Sequence, residues 1–271
     1  MRILFFGDLV GRSGRNGVIE ALRELKPRLK PDAIVVNGEN AAGGFGINEE
    51  ICRDLFNAGV DVISTGNHAF DQRDSLSVYD TERRLLRPIN YPSAVPGRGV
   101  GLYELKNGQR LLVINAMGRV FMEPLDDPFA LVDRELEACP LGRGCDAAIV
   151  DMHAEATSEK MAMGHFCDGR ASLVVGTHCH VPTADAQVLP HGTAYQTDAG
   201  ACADYDSVIG MEKTEPLLRF TRKLGQGRMN PAQGPATVCG VFVETNDTTG
   251  LAARVEPVRF GGRLKQAVPD A

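Results

Sequence analysis

The run Ala171-Ser172-Leu173-Val174-Val175-Gly176-Thr177-His178-Cys179-His180 is an apolar stretch that stops at a glycine and then presents two histidines two residues apart. Side chains at i and i+2 of a strand lie on one face, so an extended run continued through His180 sends both imidazoles the same way. Imidazole is a common metal ligand, and two of them on one face is ligand spacing. Taken alone, a short His-x-His can equally be polar punctuation in a loop. Four other strand-like runs end in the same manner, so the chain reads as a set of strands that aim donor side chains from their ends.

Working outward, the 271 residues are 43% hydrophobic and 24% charged, the balance of a globular protein. No linker is long enough to divide them, and one domain spanning 1–271 is expected. The net charge of -6 argues against non-specific nucleic-acid or membrane-surface binding and favours a small, locally bound anion. Seven scattered cysteines with no CxxC pair read as reduced thiols in a cytoplasmic protein. The apolar run at the N-terminus is too short for a signal peptide, and no membrane-spanning stretch is expected.

The first half alternates: strand Ile3–Phe6, helix Arg15–Leu29, strand Ala33–Val36, helix Glu49–Ala58, strand Val60–Ser64. That order implies a parallel sheet with crossover helices, whose ligands bind beyond the carboxyl ends of the strands. Gly7-Asp8, Asn37-Gly38-Glu39-Asn40 and Gly66-Asn67-His68 stand at those ends. A charged surface helix is expected over Asp74–Leu86, then a Gly/Pro-rich loop to Gly101. Hairpins are expected at 102–115, split by Asn107-Gly108, and at 186–196, so antiparallel pairing takes over in the middle. Between them lie helix Ala130–Ala138, strand Ala147–Val150 running to His153, and helix Glu155–His165. Helix-like Pro216–Lys223 and two long runs, Thr237–Glu244 and Leu251–Phe260, close the chain.

The strand ends collect Asp8, Glu39, Asn40, Asn67, His68, His153, His178 and His180. Two carboxylates, two amides and four imidazoles exceed the six donors that one octahedral ion takes, so two first-row ions are the better fit, with Glu39 suited to bridge. Two ions about 3.5–4 Å apart clamp phosphate oxygens while a metal-bound hydroxide attacks in line.

This succession resembles the calcineurin-like metallophosphoesterases. More closely it is similar to their bacterial YmdB-type branch, through Gly7-Asp8-Leu9-Val10-Gly11, Asn37-Gly38-Glu39-Asn40-Ala41, His153-Ala154-Glu155-Ala156-Thr157-Ser158-Glu159-Lys160 and Asp206-Ser207-Val208-Ile209-Gly210-Met211. The resemblance runs from about Arg2 to Phe260. It implies a four-layer αββα sandwich of two mixed β-sheets flanked by helices, and hydrolysis of small cyclic nucleotides, 2′,3′-cyclic ones above all, with 3′,5′-cAMP as a further candidate. It also implies that Asp8, Asn40 and His180 hold one ion, that Asn67, His153 and His178 hold the second, and that Glu39 bridges them. His68 would stand over the substrate as general acid or as a stabilising cation. Where many superfamily members carry Asp-x-His after the first strand, Val10 takes the histidine's place, and Glu39 stands where they bridge with aspartate. The oxygen of Asn40 hardens that site, favouring iron or manganese over zinc. The loop Gly200–Tyr205 departs from the branch pattern, which opens the substrate preference.

Structural roles compete with each assignment. Asp8 could cap the next helix, Asn67 could be a turn residue, His153 a satisfied core histidine, and His68 purely structural or a further ligand. Gly11–Gly17 matches no dinucleotide or Walker pattern and reads as a tight strand-to-helix turn rather than a phosphate cradle. His165 and His191 read as surface or turn residues, Cys179 as packing, and Ser158 and Lys160 as helix-surface polarity. Two other functions stay open: a phosphomonoesterase such as a nucleotidase, and a regulatory or RNA-associated metal-binding protein with incidental turnover. The absence of a basic, aromatic-studded face argues against long nucleic acid, and a homo-oligomer is expected for an enzyme of this size.

Overall fold

A computed structural model describes residues 1–225 and 227–270. The single-domain reading of 1–271 also takes in Gln226 and Ala271, which lie outside the described residues. In chain order the elements are β1 (Arg2–Phe6), α1 (Gly11–Leu29), β2 (Ala33–Asn37), α2 (Glu49–Ala58), β3 (Val62–Ser64), α3 (Ser75–Thr81), β4 (Val100–Glu104), β5 (Arg110–Met117) and α4 (Pro128–Ala138). There follow β6 (Ala147–His153), α5 (Thr157–Phe166), β7 (Leu173–Thr177), β8 (Gln187–Val188), β9 (Ala194–Gln196), β10 (Ala203–Asp204), α6 (Thr214–Arg222), β11 (Ala236–Thr245) and β12 (Ala252–Phe260).

Two sheets form. The first runs β10-β11-β1-β2-β3 with β12 also on β11, and the second runs β4-β5-β6-β7-β9-β8. The central strands are buried on both faces and therefore read as unbroken apolar runs, whose alternate residues feed different layers. Ile3, Phe5, Ala33 and Val35 of the first sheet meet Val113, Ile149, Leu173 and Val175 of the second. Leu4, Phe6, Ile34 and Val36 pack outward with Leu22, Leu25 and Leu55 of α1 and α2. Ile114, Ala148, Val150 and Val174 pack with Val132, Leu136 and Met163 of α4 and α5. Helix, sheet, sheet and helix make the αββα sandwich. Among the described residues no helix is long and apolar enough to cross a membrane.

Three expectations are corrected. Antiparallel pairing does not take over in the middle: β5, β6, β7 and β9 are parallel, and only the edge strands β4 and β8 run against them. The hairpins are real, but each adds one antiparallel edge strand to a parallel core. The helix expected to reach Leu86 stops at Thr81, because Leu85 and Leu86 are buried in extended bridges to Ile63 and Arg98. The strand expected to continue through His180 ends at Thr177, and His178 and His180 follow it in left-handed backbone at φ 97° and 65°. The reach of both imidazoles thus comes from a turn, not from strand alternation. The turn of the Gly11–Gly17 stretch is Gly11 alone, at φ 59°; α1 begins there, and Val10 rather than Asp8 occupies its N-cap.

Candidate functional site

Every residue singled out at a strand end lies at the carboxyl edge of a parallel strand, where the two sheets adjoin. β1 delivers Asp8, β2 Glu39 and Asn40, and β3 Asn67 and His68; β6 delivers His153, and the turn after β7 delivers His178 and His180. Asp8, Glu39, Asn40, His153 and His180 are buried, while Asn67, His68 and His178 are half-buried. Gly66 makes the close approach possible, since a Cβ there would collide with the His153 ring and the Glu39 carboxylate.

Outward hydrogen bonds set the tautomer of each histidine in the cluster. His153 Nδ1 is 2.9 Å from Thr177 Oγ1, and that hydroxyl donates to Asp151 Oδ1 at 2.7 Å, so Nδ1 must carry the proton. His180 Nδ1 donates to the Ile209 carbonyl at 2.7 Å, and His178 Nε2 faces the Glu155 carboxylate at 3.1 Å. The remaining nitrogen of each ring therefore turns a lone pair inward. His153 Nε2 meets Asn67 Oδ1 at 2.9 Å, Glu39 Oε2 at 3.2 Å and His178 Nδ1 at 3.1 Å. His180 Nε2 meets Asn40 Oδ1 at 3.1 Å, and the Asn40 amide is already committed to the Gly44 carbonyl. These are acceptors facing acceptors, an arrangement that repels unless a cation lies between. The spacings also match the edge of an octahedron, about 3 Å for ligand bonds of about 2.1 Å.

Two groups of donors meet this geometry: Glu39, His153 and His178, and Asp8, Glu39 and His180, with Glu39 in both. In the protein alone, burial pushes the Glu39 carboxyl well above its ordinary value, with Asp8 adding to the rise, and burial likewise raises Asp8. Burial and the His178 ring push His153 well below the usual imidazole value, and burial with His180 lowers His178. A bound cation reverses the penalty on the carboxylates and needs the histidines neutral, so the shifts and the donor set agree. The residues present fit a metal site.

His68 stands apart from the imidazole cluster. Its backbone N–H donates to Glu39 Oε2 at 3.2 Å, and its ring Nδ1 pairs with Asp71 Oδ2 at 2.7 Å. It lines a cavity of about 490 Å³ with Asn67, Asp71, Phe121, Met122, Glu123 and His178. His165 and His191 are exposed and take no part.

Sequence reasoning missed several participants. Asp71 follows His68 at i+3, the one local signal available. Lys160 is not helix-surface polarity: it is fully buried, 2.7 Å from buried Asp198, with Cys179 Sγ 3.3 Å from its ammonium. Asp151 lies beneath the cluster, where burial raises its pKa to about 7 although Ser64, Thr177 and Asn37 donate to it. In the sequence Asp151 is a lone acid at the end of an apolar run, with no local mark of this role.

Sandwich and donor cluster together are those of a metallophosphoesterase. A model of the YmdB-like protein family matches residues 4–258, and the chain belongs to that family. It is 44% identical over 258 residues to the 2′,3′-cyclic-nucleotide 2′-phosphodiesterase of Bacillus subtilis, covering 95% of this chain and 96% of that one. Among solved structures, a Thermus thermophilus protein is 42% identical with a TM-score of 0.89, covering 97% of this chain and 100% of that one. A Mycoplasma pneumoniae phosphatase is 32% identical with a TM-score of 0.88, covering 96% and 93%. The chain is by class a phosphoric diester hydrolase.

Proposed function

We propose that this chain is a phosphodiesterase with a two-metal centre that opens small cyclic nucleotides, 2′,3′-cyclic ones in preference, with 3′,5′-cAMP as a second candidate. The observation that carries the reading is the convergence of three inward lone pairs, from His153, His178 and His180, on a carboxylate that both donor groups share. The name of the Bacillus subtilis relative supports the substrate. In this reading Asp8, Asn40 and His180 hold one ion, Asn67, His153 and His178 hold the other, and Glu39 bridges. The oxygen-rich first set favours iron or manganese over zinc. Two such ions would supply the Lewis acidity that neutralises the diester and activates the attacking water.

The chain's own groups do the rest. Thr177, Glu155 and the Ile209 carbonyl hold the outward nitrogen of each ring and so aim the other inward. His68, with Asp71 holding its Nδ1 proton, presents Nε2 to the leaving oxygen as the general acid. Residues 1–271 act as one domain in this reading, since both sheets contribute donors. The seven free cysteines support a reducing, cytoplasmic compartment.

The test is metal content together with hydrolysis of 2′,3′-cAMP, 3′,5′-cAMP, bis(p-nitrophenyl) phosphate and p-nitrophenyl phosphate, in wild type and His68→Ala. Near two metals in both proteins, diesters preferred over monoesters, and turnover lost in His68→Ala is the expected result. Faster cleavage of the monoester would move the assignment to a phosphatase, the name carried by the Mycoplasma pneumoniae structure. Metal without turnover of any ester would end the enzymatic reading.

A further inference from the structure

Phe121 lies on the loop between β5 and α4, 90% exposed, with its backbone at φ 61°. Both features cost the folded chain: a phenyl ring left in water forgoes its burial, and a bulky side chain in left-handed backbone is strained. Such a conformation persists only where the surroundings enforce it, and at functional sites the strain commonly has a use.

The enforcement is visible. Gly118 N–H donates to the His153 carbonyl at 2.9 Å, tying the loop to the strand that delivers the histidine. The N–H groups of Arg119 and Val120 donate to the Glu159 carboxylate of α5 at 3.0–3.3 Å. Further along, Asp126 N–H donates to the Asn90 carbonyl at 3.2 Å, and Asn90 in turn brackets Met117 through both its amide atoms. Phe121 is therefore an exposed ring on an anchored loop. Among the described residues no aromatic ring or guanidinium packs against it. It lines the same cavity as His68, Asn67 and His178, and of these His68 touches Glu39 through its backbone N–H and Asn67 touches His153.

We infer that Phe121 contacts substrate, stacking its ring face on the nucleobase while the phosphodiester sits against the donor cluster beside His68. This rests on the nucleotide reading proposed above and adds the base-binding group. At the phosphate end the half-buried Phe45 is already packed edge-on against the His68 ring, centroids 5.1 Å apart, whereas Phe121 is the exposed ring among the residues lining the cavity, whose volume of about 490 Å³ holds a single nucleotide. Stacking tolerates every base because every base has a π-face, so purines and pyrimidines should both be accepted, purines better through their larger face.

The test compares kcat/KM for 2′,3′-cAMP with that for glycerol 1,2-cyclic phosphate, the same five-membered cyclic diester without a base. Expressed as a ratio, the comparison is insensitive to the fraction of active enzyme. In Phe121→Ala the ratio should fall about 5- to 150-fold, the range that alanine substitution of base-stacking aromatics spans. The loss should lie mainly in KM, because the contact is far from the reacting phosphorus, and Phe121→Trp should restore it. An unchanged ratio in Phe121→Ala, or equal losses on both substrates, overturns the inference while leaving the nucleotide reading intact. A wild-type enzyme that opens glycerol 1,2-cyclic phosphate but not 2′,3′-cAMP overturns both.

Discussion

The ammonium of Lys160 lies 2.7 Å from the carboxylate of Asp198, and both side chains are fully buried directly behind the turn that carries His178 and His180. Asp198 accepts two further bonds, from Cys179 N–H at 3.0 Å and Gly200 N–H at 2.8 Å, so the pair pins the backbone between the two histidines. Burial works against the lysine's charge, but the Asp198 carboxylate, with a smaller contribution from Cys179, more than offsets it and holds the pKa above the ordinary lysine value. Lys160→Met would strand Asp198 as a buried, uncompensated charge. A loss of about 3–5 kcal/mol is expected in denaturant unfolding of the metal-free protein. Lys160→Met combined with Asp198→Asn should recover part of that loss, and a double variant no more stable than the single one would refute the pairing.

His68 and Asp71 form the second testable pair. His68→Ala should lower kcat on diesters about 10²- to 10⁴-fold, the usual contribution of a positioned acid, with metal content unaltered. Asp71→Asn should produce a smaller fall, since the ring remains but its Nδ1 loses a charged partner. A His68→Ala enzyme that has lost metal would reassign the residue as a ligand.

Sharing of Glu39 predicts an unequal stoichiometry. Elemental analysis should find near two metals per chain in wild type, near one in His180→Ala, and none retained in Glu39→Ala. Equal loss in the two variants would mean that the sites are not separable.

Thr177 is fully buried, where it holds the Nδ1 proton of His153 and is itself held by Asp151. Thr177→Val nearly preserves volume while removing the acceptor, and it should weaken metal binding about 10- to 100-fold. A competition assay against a chelator with known affinity reads this directly.

Removing metal should cost stability as well as activity. The buried Asp8 and Glu39 then face lone pairs with nothing between them, and reloading should add about 4 kcal/mol per ion when free metal is about 1,000-fold above its Kd. Calorimetric melting of chelated and reloaded protein checks it; coincident curves would mean that the cluster holds no metal.

The sequence by itself determined the parallel β1-β2-β3 unit and the position of the candidate donors just beyond the strands, because both leave local marks. A strand buried on two faces must be continuously apolar, as Ile3–Phe6 and Ala33–Val36 are, and a donor at its carboxyl end must follow the run directly, as Asp8 and Glu39 do. What only the tertiary structure decided is non-local. The pairing of β5, β6, β7 and β9 as parallel neighbours depends on crossovers packing α4 and α5 against one face, which no short pattern records. Burial of Lys160 depends on Asp198, 38 residues further along the chain and on another segment, so an isolated Ser-x-Lys looks like surface. His178 and His180 illustrate the division most directly: their identity was legible as His-x-His, but their aim comes from a left-handed turn. That turn costs conformational energy and persists because Asp198, Lys160 and the Ile209 carbonyl hold it from outside.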